Sequence, residues 1–209
     1  MRLYRRSVLS LVGASVIAPS AFAAEAAPLP FTQRSIGSPK APVTAVEYFS
    51  LTCTHCAHFA TTVMPEVKAK LVDAGKLQVI FKDFPLDQVA LMAAQVARYL
   101  PTEQYYPFIE ALFSSQDQWA FLPVTDPKNP PDYAALIFQY AALAGMDKPT
   151  FDAAIHDDKL RAFILRGQQE AESLYHVNAT PTFIINGKVN PGEMEYTDFA
   201  AAVANAAKG

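Results

Sequence analysis

Hydrophobic positions along this chain change their period in a way that separates two kinds of structure. Residues 43 to 49, VTAVEYF, are β-branched and aromatic with a single carboxylate, Glu47, and predict a buried strand. The next stretch, from Cys53 to about Leu71, reads as a helix, and Gly75 stands where its C-cap belongs. Pro65 falls inside that helix and predicts a kink. Residues 76 to 84, KLQVIFKDF, read as a second strand. Strand, helix and strand joined by short connections make a βαβ unit, with parallel strands and a right-handed crossover.

From Leu86 to Leu174 only helical periodicity is found. Val89, Met92, Val96 and Leu100 form one stripe, Tyr133, Leu136, Ile137 and Tyr140 another, and Leu160, Phe163, Ile164 and Leu174 a third. Breakers at Leu100-Pro101 and in TDPKNPPD, residues 125 to 132, divide the helices. Strand character returns in PTFIING, residues 181 to 187. Asn186-Gly187 predicts a hairpin turn, and Pro191-Gly192 a second turn before a small-residue helix closes the chain. The pattern partitions the chain into an α/β domain, residues 24–85 and 175–209, and a helical insertion, residues 86–174.

The first 23 residues stand apart. Arg2, Arg5 and Arg6 precede a short apolar stretch ending Ala21-Phe22-Ala23, the form of a cleavable signal peptide. YRRSVLS also has a twin-arginine look. Either route predicts a periplasmic protein. Loss of the leader removes three of the 17 basic residues against 20 acids. An acidic chain with no Lys/Arg cluster argues against nucleic acid or an anionic membrane as partner.

The chain has two cysteines, Cys53 and Cys56. A bridge across two intervening residues removes little unfolded-state entropy, so a structural staple is disfavoured. A closed zinc site needs four ligands, and no second ligand pair stands at suitable spacing, so no metal or other cofactor is expected. Two thiolates holding a soft ion remain an alternative. A C-x-x-C pair beside a βαβ unit reads best as a redox dithiol. Cys53 at the first turn of the helix meets free backbone N–H groups and the positive dipole end, which favour the thiolate. Cys56 lies one turn further in and resolves the mixed disulfide. Protonated His55 would stabilise the Cys53 thiolate, whereas His58 reads as a solvated helix residue. Glu47 needs a partner or a proton if buried. It is a candidate proton acceptor for Cys56, with Lys82 on the neighbouring strand as its natural counter-charge.

VEYFSLTCTHCAHF, followed some 120 residues later by NATPTFIING, resembles the DsbA-like thiol:disulfide oxidoreductases of the thioredoxin superfamily. The resemblance spans essentially the whole chain after the leader. It implies a thioredoxin fold with a helical domain inserted between the second and third core strands. It also implies Cys53 as exposed nucleophile, Cys56 as buried partner, His55 as thiolate stabiliser and Glu47 with Lys82 as a buried charged pair. Pro181 becomes a cis-proline facing the dithiol, with the Thr180 backbone offered to an extended peptide. The implied activity is donation of a disulfide to reduced or misfolded exported proteins, with reoxidation by a quinone-linked membrane partner of the DsbB type. Thr54-His55 stands where many oxidases carry Pro-His, and Thr180 where strong oxidases often carry Val, so an isomerase or reductase is the alternative. Only about twenty residues separate the leader from the first strand, too few for an N-terminal dimerisation domain, and a monomer is expected.

Overall fold

The computed structural model describes residues 30–124 and 128–208; the signal-peptide segment lies outside the described residues. Among the described residues, five strands form one sheet: β1 (Arg34–Ile36), β2 (Val43–Phe49), β3 (Leu77–Asp83), β4 (Thr182–Ile185) and β5 (Lys188–Pro191), in the order β1-β3-β2-β4-β5. β2 and β3 are parallel, as their βαβ connection requires, and the remaining neighbours are antiparallel. The β4–β5 hairpin turns at Asn186 and Gly187, both at positive φ, which matches the twist of the paired strands. The three-residue β1 has no counterpart in the sequence reading.

The crossover from β2 to β3 is one continuous helical run with an irregular interior. It comprises α1 (Thr54–His58), a π-helical turn (Phe59–Val63), α2 (Met64–Val67) and a second π-helical turn (Lys68–Val72). Pro65 sits in the first turn of α2, where its missing N–H and fixed φ are tolerated. The distortion expected at Pro65 therefore takes the form of wide turns on either side of it. Phe59, Val63, Val67 and Leu71 all remain buried despite the irregularity. At the far end, Gly75 adopts φ +70°. Its N–H bonds to Val72 O at 2.9 Å, and the Lys76 N–H bonds to Leu71 O at 2.9 Å, a Schellman closure.

Among the described residues, six helices lie between β3 and β4: α3 (Gln88–Tyr99), α4 (Thr102–Ser114), α5 (Gln116–Trp119), α6 (Tyr133–Leu143), α7 (Lys148–Ile155) and α8 (Asp158–Tyr175). Asp87, Asp132, Asp147 and Asp157 each cap a helix by accepting backbone N–H groups. A last helix, α9 (Tyr196–Ala206), returns to the sheet. This is the α/β architecture the pattern predicts, with the helical block entering after the second core strand.

The sheet separates two apolar layers. Ala45, Phe49, Val79, Phe81 and Phe183 belong to the main core with Phe59 and Phe199. The Phe59 ring lies 4.6 Å from that of Phe183 and 5.6 Å from that of Phe199, fastening the active-site helix to β4 and α9. On the opposite face, Tyr48, Val46 and Ile184 pack with Ala171 of α8 and Phe84. The N-terminal half of α8 instead packs Leu160 and Ile164 against Leu91 and Ala94 of α3. Helix α8 thus serves both the helical block and the sheet. Its Leu174, part of the predicted stripe, is exposed.

A buried polar knot joins β1 and β3 to the helices. Arg98 Nε donates to Asp83 Oδ2. The Arg34 guanidinium donates to Arg98 O, Leu100 O and Thr102 Oγ1 at 2.5, 3.2 and 3.1 Å. Among the described residues, no helix is long and apolar enough to cross a membrane.

Candidate active site

The dithiol sits where β2 runs into α1. Cys53 is the N-cap of α1 in extended conformation (φ −84°, ψ 122°), so the first N–H groups of the helix are directed towards its side chain. The turn before it is closed by one internal bond and braced from two other elements. Cys53 N–H bonds to Ser50 O at 3.0 Å. Thr52 Oγ1 donates to Asp87 Oδ2 at 2.6 Å, while the other oxygen of Asp87 caps α3. Gln116 Nε2, from α5, donates to Leu51 O at 2.7 Å and Cys53 O at 3.1 Å. The helical block therefore holds the main chain of the redox turn. Neither Asp87 nor Gln116 was legible as a site residue, because each acts on groups far from it in sequence.

Cys53 and Cys56 are both free thiols, and their environments drive them apart. A hydrogen bond from the Cys56 thiol is the largest influence on Cys53. It outweighs burial and is joined by the Thr180 side chain and by the N–H groups of Cys56 and His55. Together they lower the Cys53 pKa to about 5. Burial, first, and then the bond to Cys53 and its charge push Cys56 well above the ordinary thiol range. Cys53 is less open than a surface nucleophile: it is 8% exposed against 0% for Cys56, so the electrostatic contrast exceeds the contrast in access.

Thr180 and Pro181 meet the dithiol from β4. The Thr180–Pro181 peptide bond is cis. The Cys53 thiol donates to Thr180 O at 3.2 Å. The Thr180 hydroxyl is buried with no conventional hydrogen-bond partner among the described residues and favours the thiolate.

Glu47 is buried on the sheet face that carries the active-site helix, and burial raises its pKa to about 8. Its charge is among the influences that raise the Cys56 pKa. The expected partner is elsewhere. Glu47 pairs in register with Phe81, and Lys82 pairs with Tyr48. Side chains alternate along a strand, which sends Lys82 to the opposite face, where it lines a cleft with Tyr48, Tyr175 and Glu170. The Glu47–Lys82 charged pair does not form, and Glu47 is held neutral at pH 7 by its proton.

His55 also departs from expectation. Its Nδ1 lies 3.1 Å from Glu193 Oε2, and the Nδ1 of His58 contacts the other oxygen of the same carboxylate. Glu193 follows the Pro191-Gly192 turn. Sequence reading missed it, because 138 residues separate it from His55 and no local motif marks it.

Comparison with known proteins agrees with this geometry. The Thioredoxin family model matches residues 31–205. The crystal structure of Wolbachia pipientis alpha-DsbA1 superposes with a TM-score of 0.75 and is 32% identical, over 87% of this chain and 93% of that one. The chain belongs to the thioredoxin superfamily, in its DsbA-like branch. Among sequences, a Rickettsia conorii chain that bears a protein-disulfide oxidoreductase name is 28% identical over 169 residues, 80% of this chain. This DsbA-like chain spans 58% of that relative's length. Bacillus subtilis BdbD, oxidised, shares the fold at 19% identity, with a TM-score of 0.70 over 85% of this chain and 94% of that one.

Proposed function

We propose that this DsbA-like chain is an exported thiol:disulfide oxidoreductase that donates the Cys53–Cys56 disulfide to reduced substrate proteins. The observation that carries the reading is the opposed pair of pKa values: Cys53 near 5 and Cys56 far above it. A substrate thiolate attacks Cys53 Sγ, the S–S bond breaks, and Cys56 leaves with the electron pair. Its proton comes from the neutral Glu47 carboxyl, which is acidic enough at about 8 to supply it and basic enough to take it back on reoxidation. A second substrate thiolate then attacks the substrate sulfur of the mixed disulfide. Cys53 departs as a stable thiolate, and a low-pKa leaving group favours this step. Thr180 and Pro181 border the sulfur and offer backbone for an extended peptide.

Family likeness extends the proposal to a periplasmic monomer reoxidised by a quinone-linked membrane partner of the DsbB type. Nucleic acid has no part in it, and no cofactor is invoked. The test is stoichiometric. Oxidised protein mixed with a reduced two-cysteine peptide yields one peptide disulfide per chain. Cys53→Ser abolishes the reaction, and Cys56→Ser accumulates a mixed disulfide through Cys53. Full peptide oxidation by Cys53→Ser would refute the proposal. The equilibrium with glutathione separates a disulfide donor, near ~−120 mV, from a reductant, near ~−270 mV.

A further inference from the structure

The turn between β5 and α9 places one carboxylate against two histidines of the active-site helix. Gly192, at φ +84°, donates its N–H to Pro181 O at 2.9 Å. The backbone that presents Thr180 to Cys53 therefore also fixes the start of the Glu193 side chain. The carboxylate is mostly covered, whereas His55 and His58 are largely open to solvent. Partial burial raises the Glu193 pKa, but the bonds from His55 and His58 overturn this and leave it lowered. Groups that stabilise the Cys53 sulfur are the Cys56 thiol, the Thr180 side chain and two backbone amides. The His55 imidazole instead bonds to Glu193.

We propose that Glu193 is a positioning residue of the redox site: it draws the His55 imidazole away from the Cys53 sulfur and offsets the positive charge the ring carries when protonated, making the disulfide a weaker oxidant. The inference rests on the dithiol function proposed above. An imidazolium turned towards a thiolate stabilises the reduced form, and so strengthens the disulfide as an oxidant. Here Glu193 occupies Nδ1 and brings a negative charge of its own. The strength of oxidation is thereby set in part by a residue outside the C-x-x-C segment and the cis-proline.

The experiment follows the ultraviolet absorbance of the thiolate against pH, together with the glutathione equilibrium, for the full chain. Glu193→Gln lowers the Cys53 midpoint by about half a unit to one unit. The same change moves the glutathione equilibrium about three- to tenfold towards the reduced protein, or ~15–30 mV. Glu193→Asp, which keeps the charge, restores most of the original midpoint. With His55→Ala in the background, the Glu193→Gln shift falls to about half or less, because only direct charge repulsion and the His58 contact remain. An unchanged or raised midpoint in Glu193→Gln overturns the proposal, and so does an equal shift with and without His55. Wild-type protein that oxidises peptides while Glu193→Gln changes nothing refutes this inference alone. Wild-type protein inert towards thiols refutes the functional reading beneath it.

Discussion

A carboxylic acid buried without a counter-charge makes stability depend on pH in a direction opposite to that of a salt-bridged acid. Glu47 is the case here, its pKa raised from 4.5 to about 8 by burial. Below 4.5 the folded and unfolded chains both carry the proton, and the site has no pH-dependent cost. As pH rises, the unfolded chain releases its proton first, so stability falls by about 1.4 kcal/mol per pH unit until the folded carboxyl also ionises. The loss reaches about 3 kcal/mol at pH 7 and roughly 5 kcal/mol above pH 8. Glu47→Gln removes the proton and with it the slope. Its buried amide brings a desolvation cost of about 1–3 kcal/mol, so absolute stability is the weaker readout and the pH dependence the stronger. Urea unfolding of the disulfide form from pH 5 to pH 9 isolates the effect, because neither cysteine titrates in that state. The wild-type curve should fall relative to the variant across pH 5 to 8 and flatten above. Parallel curves would mean that Glu47 is solvated or paired, and the proton-transfer role proposed for it would fail as well.

Two further outcomes follow from the placement of neighbouring side chains. Lys82→Met should leave the Glu47-dependent slope intact in the same urea series, since the lysine lies across the sheet; a changed slope would restore the charged pair. Gln116→Leu leaves the Leu51 carbonyl without its buried donor, while the Cys53 carbonyl keeps the Ala57 N–H, and should lower unfolding free energy by about 1–3 kcal/mol. A loss below about 0.5 kcal/mol would show that the redox turn holds its shape without α5.

The central strands of the sheet and the redox motif were legible because each rests on local signals. Val43–Phe49 is apolar enough to be a buried strand in any context, and Asn186-Gly187 names its own turn. Cys53 and Cys56 are specified by strand and helix signals nearby in sequence, whereas Thr180, 127 residues from Cys53, and Pro181 were expected beside them only through the family resemblance. The pairing of Glu47 depended on something else. Whether a lysine on β3 faces the same side depends on register, and a shift of one residue reverses every side chain. No pattern within either strand specifies that alignment. Arg34 was hidden for a related reason. Its strand is three residues long, and the carbonyls that receive its guanidinium come from Arg98 and Leu100, more than sixty residues away. The π-helical turns beside Pro65 were signalled only as an irregularity, because the proline marks where a regular helix is disturbed and not how it accommodates.

Helix α8 gives the molecule a seam that cannot be cut where composition changes. Excising residues 86–174 to recover a minimal α/β scaffold would strip Ala171 from the sheet and bare Tyr48 and Ile184, two strand residues packed in its layer. Shorter descendants of this architecture must keep the last turns of that helix or supply another cover. The elaboration is grafted into the sheet at its root.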